Sequence, residues 1–260
     1  MFKFGVDPEL FVKKDNEFVC AWGMIEGDKE NPKRVNKGAV QVDGFALEFN
    51  IDPVSTEEDF VLSINEVMEQ LYAMVPGYEV VAVPTAPFSL EYIKSQPEEA
   101  RELGCSPDYN AWEDGKPFPK PDGERPFRTG AGHLHIGWTE NEDVNNPEHI
   151  EKCIALVKQL DFFLGLPSVL LDKDDKRREM YGKAGCFRPK PYGVEYRTLS
   201  NFWIVSDEMI KYIYANTNLA IDRLMEGEAL TEDIQEVINK SDKEKALELI
   251  IKYGIPMEGI

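Results

Sequence analysis

Histidine is scarce: three in 260 residues, and two of them, His133 and His135, stand two positions apart. Cysteine is nearly as scarce. Cys20, Cys105, Cys153 and Cys186 form no CxxC pair, and a chain of this length needs no disulfide staples, so all four are expected as free thiols in a reducing compartment. Positive charge is in deficit, with 29 Lys and Arg against 48 Asp and Glu and a net charge of -19. That argues against direct nucleic-acid binding through a basic surface, and it leaves room for clustered carboxylates neutralised by cations. Long hydrophobic runs are missing too. The opening MFKFGVDPEL has no apolar signal-peptide core, and the most apolar stretch, Cys153 to Leu171, is broken by Lys158, Asp161 and Pro167. It reads as a core helix and its exit, not a membrane span. With 42% hydrophobic and 30% charged residues, no repeat and no linker, residues 1–260 are expected to form one α+β domain in the cytoplasm.

Two short strands are expected over 2–22, with Lys13-Lys14-Asp15-Asn16 as the turn, then a loop over 23–39 and one strand from Val40 to Ile51. Phe60, Ile64, Val67, Met68, Leu71 and Val75 recur at helical spacing, which predicts a helix over 56–75 capped by Ser55 and Glu58. Strands are expected at 79–83, 129–138 and 193–199 and a helix at 148–164. Two or three helices should fill 206–253, one capped by Ser241 and Glu244. Residues 104–127 carry five prolines and little periodicity, the pattern of a long functional loop and a candidate lid.

Four strand segments carry polar residues where a core strand carries apolar ones. They are Asp7-Pro8-Glu9, Glu48-Phe49-Asn50, His133-Leu134-His135 and Glu195-Tyr196-Arg197. Residues i and i+2 of a strand share a face, so the polar members line one face while Leu47, Phe49, Leu134, Ile136 and Tyr196 pack on the other. On one sheet, four such carboxylates repel unless cations bind, and oxygen-rich sets favour Mg²⁺ or Mn²⁺ with an occasional histidine. Gly130 and Gly132 before His133 are read as room for close ligand approach. The segment from Arg177 to Arg188, dense in Arg, Lys and Gly, suggests phosphate or carboxylate binding.

The ordered set GVDPELFV, DGFALEFNIDP, RTGAGHLHIG, RREMYGKAGCFRPK and GVEYRTLSN resembles the carboxylate–amine ligases of the glutamine synthetase and glutamate–cysteine ligase superfamily. It is most similar to the phage-type amidoligases, the COOH–NH2 ligase type 2 group, over about residues 3–203. The resemblance implies a curved antiparallel sheet with helices on one face and ATP and Mg²⁺ (or Mn²⁺) on its concave side. It implies Asp7, Glu9, Glu48, His133 and Glu195 as metal ligands, and His135, Arg178, Lys183 and Arg188 at the nucleotide. Arg197, Arg178 and Arg188 would act on phosphate and carboxylate oxygens. The implied reaction joins a small-molecule or peptide carboxylate to an amine through an acyl phosphate, in the host cytoplasm if the chain is phage-encoded, with a homo-oligomer left open. Asp rather than Glu opens the first pair, one acidic strand residue stands in the middle region, and no separate N-terminal domain precedes it. These departures argue against a glutamine synthetase proper. Two other readings of the residues stay open: a metal-dependent hydrolase using HxH and carboxylates, and a non-catalytic nucleotide-binding protein.

Overall fold

The structure, a computed structural model, describes residues 1–103, 107–120 and 123–257. Its strands are β1 (Lys3–Lys14), β2 (Glu17–Val19), β3 (Lys33–Val35), β4 (Gly38–Asp43), β5 (Ala46–Ile51), β6 (Glu79–Val81), β7 (Thr85–Pro87), β8 (Tyr109–Asn110), β9 (Lys116–Pro117), β10 (Phe127–Thr129), β11 (Gly132–Gly137), β12 (Cys186–Lys190) and β13 (Gly193–Tyr196). Its helices are α1 (Glu57–Met74), α2 (Leu90–Ser95), α3 (Glu98–Arg101), α4 (Pro147–Leu160), α5 (Leu166–Leu171), α6 (Asp207–Met225), α7 (Gln235–Asn239) and α8 (Lys243–Tyr253). All strand pairs are antiparallel, and the main sheet runs β3-β4-β5-β1-β11-β13-β12-β8-β9, with β2 and β6 also on β1. The fold is α+β.

The 12-residue β1 is the sheet's spine. Lys3–Pro8 pairs with β11, Glu9–Leu10 with β5 and Phe11–Lys13 with β6. Its pairing with β11 ends at Pro8, a residue with no N–H to offer a ladder. Asp15 and Asn16 both have positive φ (51° and 67°), as a two-residue hairpin turn requires. The single strand expected over 40–51 is instead a hairpin, β4 and β5, because Gly44-Phe45 turns the chain with Gly44 at φ 58°. The loop expected over 23–39 contains β3.

Alternate residues of the central strands, among them Val6, Leu10, Leu47, Phe49, Leu134, Ile136, Val194 and Tyr196, enter one core with α1, α4, α5, α6 and α8. A smaller cluster of Phe11, Phe45, Ala86, Phe88, Ile93 and Ala100 brings only the short α2 and α3 to the other side. The helix expected at 148–164 runs on through a π turn at Asp161–Gly165 into α5. By length and composition Pro147–Leu171 is apolar enough to cross a membrane, but 72% of its most apolar window is buried inside the molecule. Both expected caps shift by one residue: Thr56 accepts from the Asp59 amide, and Asp242 from that of Lys245. In each case the residue that ends in extended backbone one step before the first turn has the reach to the third amide. The region 104–127 is not bare loop. Its described part holds β8, a 3₁₀ turn at Ala111–Glu113 and β9, anchored to the sheet through β12; residues 104–106 and 121–122 lie outside the described residues.

Candidate active site

The polar face of the sheet floors a cavity of about 660 Å³. Cross-strand pairing sets its layout. Glu9 stands opposite Glu48, Asp7 opposite His133, His135 opposite Glu195, and Arg188 opposite Glu195 on the other side. Asp7 and Glu9, two apart on β1, are separated by about 6.5–7 Å along the strand. Two groups of ligand atoms result, each within 4.8 Å of one another: Asp7, His133 and Glu195 in one, and Glu9, Asp43 and Glu48 in the other.

The second group is short of positive charge. Lys29 Nζ lies 2.8 Å from Asp43 Oδ1 and the Ala131 amide donates to Glu9 Oε2 at 2.9 Å. Burial, and then the neighbouring Asp43, pushes Glu9 up to about 7. Burial and the charges of Asp7, Asp43 and Glu9 hold Glu48 well above the usual carboxylate range. In the first group, burial works against the charge of Asp7, but His135 and His133 outweigh it and keep the carboxyl well below its ordinary value. Glu195 is 1% exposed. Burial opposes its charge as well, but Arg197 together with His135 and His133 outweighs it, so it stays ionised. Burial and Arg197 together lower His133 to about 4, leaving a neutral imidazole beside two carboxylates. His133 Nδ1 is 3.1 Å from Asp7 Oδ1 and 3.5 Å from Glu195 Oε1.

Cations ring these acids. Arg197 pairs with Glu195 and lies 2.9 Å from Asp108 Oδ1; Arg188 reaches the same oxygen at 2.9 Å, and Lys190 is 2.6 Å from Glu195. His135 turns to a neighbouring cleft of about 560 Å³, lined by Asp7, Glu48, Trp138 and Tyr192 among others. Its Nε2 is 3.0 Å from Asp7 Oδ2 and its Nδ1 meets the Tyr192 hydroxyl.

The sheet thus brings Asp7, Glu9, Glu48, His133, His135, Glu195, Arg188 and Arg197 together. Two expected residues lie elsewhere. Arg178 points into the helical layer, donating to Ser168 Oγ at 2.9 Å and Ser241 Oγ at 3.1 Å, because the 3₁₀ turn at Lys176–Glu179 directs its neighbour to the cavity. That neighbour, Arg177, lines the cavity and donates to Thr198 O at 3.0 Å. Gly182 at φ 72° makes room for it: a Cβ there would sit 1.7 Å from Arg177 Nη1. Lys183 does not line the cavity; its carbonyl accepts from Thr198 Oγ1 at 3.1 Å. Gly130 and Gly132 serve packing, not ligand approach, since a Cβ would meet Asn201 Nδ2 at 2.5 Å or Ser200 O at 2.4 Å.

Arg177, Arg128, Asp43 and Asp108 are cavity residues that sequence reasoning missed. The Asp-Gly turn signal marked Asp43, and Arg128 stands inside the RTGAGHLHIG motif. With Asp43, the middle region offers two acids where one was expected. As a donor set, five carboxylates and one neutral imidazole, packed in two groups, fit hard divalent cations.

A family model described as "Phage phiEco32-like COOH.NH2 ligase-type 2" matches residues 125–253. No curated protein matches the chain. The matched span holds His133, His135, Arg177, Arg188, Glu195 and Arg197; the fold adds Asp7, Glu9, Asp43 and Glu48 from strands outside it. Through residues 125–253 the chain belongs with this phage-type family of COOH–NH2 ligases, enzymes that join a carboxylate to an amine.

Proposed function

We propose that the protein is a cytoplasmic, ATP-dependent carboxylate–amine ligase working through an acyl phosphate. The observation that carries this reading is the pair of three-residue ligand groups set side by side on a cavity floor that arginines overlook. Asp7, His133 and Glu195 would hold one Mg²⁺ or Mn²⁺, and Glu9, Asp43 and Glu48 a second. Bound there, such cations neutralise phosphate oxygens during transfer.

The chain's own residues supply the rest. Arg177, Arg188 and Arg197 hold phosphoryl and carboxylate oxygens, and donors fixed before reaction need no reorganisation as charge develops. Asp108 and Glu195 fix the Arg197 guanidinium by ion pairs on two sides, so its fork is oriented in advance. The cleft of Trp138 and Tyr192 beside His135 has the apolar, aromatic walls suited to a nucleotide base. In the first step a carboxylate oxygen of the acid attacks the γ-phosphorus and ADP leaves. In the second the amine nitrogen attacks the acyl carbon, the bond to the phosphate oxygen breaks, and inorganic phosphate departs as the nitrogen gives up a proton.

Two measurements test this. Calorimetric titration of ATP into metal-stripped protein should show binding only after Mg²⁺ or Mn²⁺ is restored; equal affinity without divalent ions sinks the metal assignment. A screen of acid–amine pairs using ¹⁸O-labelled carboxylates should put ¹⁸O into released phosphate. Amide formation with unlabelled phosphate would eliminate the acyl phosphate.

A further inference from the structure

Arg128 differs in its partners from the other cavity cations: Arg177 shares its backbone-carbonyl hydrogen bonds but also feels the charges of Glu9 and Asp172. Arg188 and Arg197 lie 2.9 Å from Asp108, Lys190 lies 2.6 Å from Glu195 and Lys29 lies 2.8 Å from Asp43. Arg128 is 6% exposed and has no carboxylate partner among the described residues. Its Nη1 donates to the carbonyls of Arg125 (3.2 Å) and Phe127 (3.0 Å), and its guanidinium lies 5.0 Å from the Phe45 ring centroid. Its Nε is buried and finds no acceptor among the described residues. The groups that favour its charge, Tyr181 and Cys20, are neutral near pH 7. A guanidinium held under cover with only neutral partners is expensive unless an anion arrives.

Arg128 is also set off from the metal-ligand groups. It stands on β10, in the separate two-stranded sheet with β7, whereas the candidate ligands stand on β1, β4, β5, β11 and β13. A carboxylate placed to react at the ligand groups would leave Arg128 for a different group on the same molecule.

We infer that Arg128 is a specificity residue that receives a second anionic group, carboxylate or phosphate, on the acid substrate. The acid would then be at least a dianion. This inference rests on the ligase reading of the same cavity.

Calorimetry tests it in the presence of Mg²⁺ and a non-hydrolysable ATP analogue. The probes are butyrate, glutarate (butyrate with a second carboxylate on its terminal carbon) and 3-phosphonopropionate. Wild-type protein should bind one of the two dianionic probes and discriminate against butyrate; whichever is preferred identifies the second group. Arg128→Met should weaken that dianion by roughly 10–100-fold, the worth of a charge-assisted hydrogen bond, and leave the nucleotide analogue within twofold. It should also raise Tm, because an unpaired buried cation is exchanged for an apolar side chain of similar length beside Phe45. Arg128→Lys, which keeps the charge but loses the fork, should retain the preference for dianions at reduced affinity and covers the case in which the methionine variant does not fold. Equal binding of butyrate and the dianions overturns the inference. So does a parallel loss of nucleotide analogue and dianion, which would give Arg128 to the triphosphate, or a lowered Tm with dianion binding intact, which would make it a structural cation. Failure of the ligase reading shows separately as absent metal-dependent nucleotide binding, and the probe comparison on nucleotide-free protein then still decides.

Discussion

Asp161 offers a worked test of how the site's supporting layer is held. It is fully buried in the π turn between α4 and α5 and accepts four hydrogen bonds. Trp112 Nε1 and the Gly185 amide donate to Oδ2 at 2.6 Å each, and the Tyr196 and Thr198 hydroxyls to Oδ1 at 2.7 and 3.3 Å. Tyr196 and Thr198 flank Arg197, Gly185 lies in the turn before β12, and Trp112 stands on the 3₁₀ turn at Ala111–Glu113. Asp161→Ala strands two buried N–H groups that have no alternative, at about 1–3 kcal/mol each, so a loss of about 2–6 kcal/mol is expected. Asp161→Asn is different. With its oxygen towards the two N–H donors, its amide faces two hydroxyls, which can turn and accept, so the loss should stay below about 2 kcal/mol. A pH signature separates the cases further. Burial pushes the Asp161 carboxyl up to about 6 from 3.8, with the four donors opposing. A carboxyl raised on folding adds stability that is full below the unfolded value and lost as pH rises through the folded one. Wild-type stability should therefore fall by about 2.4 kcal/mol more than that of Asp161→Asn between pH 4 and 7, most of the roughly 3 kcal/mol that 2.2 units at 1.36 kcal/mol each make over the whole titration. Urea denaturation at both pH values checks this. Equal destabilisation by Ala and Asn, or the same pH slope in wild type and Asn variant, refutes the reasoning.

Asp43→Asn should weaken metal-dependent ATP binding at least tenfold by calorimetry, because it removes one of three carboxylates from the second ligand group. Arg177→Lys should reduce ATP-dependent turnover without lowering Tm much, whereas Arg178→Ala should cost about 1–3 kcal/mol in urea denaturation and spare nucleotide binding, since its guanidinium bridges Ser168 and Ser241. Cys153 and Cys186 are buried, and burial pushes the Cys153 thiol up to about 12, so neither should react with iodoacetamide before denaturation; mass spectrometry showing native labelling of either would contradict this.

Much of the sheet was legible because alternation is a local signal. Each polar pair at i, i+2 fixed a face from its own strand, and the apolar residues between them fixed the core side. What alternation does not carry is the point at which a strand turns back. Val40 to Ile51 has continuous strand character, and only the positive φ at Gly44 divides it into β4 and β5, which is why Asp43, at the end of β4 opposite Ala46, went unseen as a neighbour of Glu9 and Glu48. The caps slipped for a related reason: Ser55 and Thr56 both suit an N-cap, and the choice depends on where tertiary packing starts the helix. Cys105 lies outside the described residues.

The site divides along the same line. Residues on paired strands were readable, since register converts sequence spacing into side-chain position. Residues on turns were not. Lys176 to Gly185 shows which chemistry is present but not which of two adjacent arginines faces the cavity. That choice is made by a single 3₁₀ turn and by Gly182, whose missing Cβ leaves the Arg177 guanidinium its place. Charge balance supplies the criterion that spacing lacks. Arg178 ends on two hydroxyls inside a helical layer, a satisfied structural group. Arg177 and Arg128 line the cavity bonded to backbone carbonyls, with charge left over for a ligand. Acids in excess on the floor and arginines with spare charge on the walls are each costly alone. On the ligase reading we propose, a polyanion brought in with divalent cations would offset the acids and the charge of Arg177 together, and the second anionic group of the acid would do the same for Arg128.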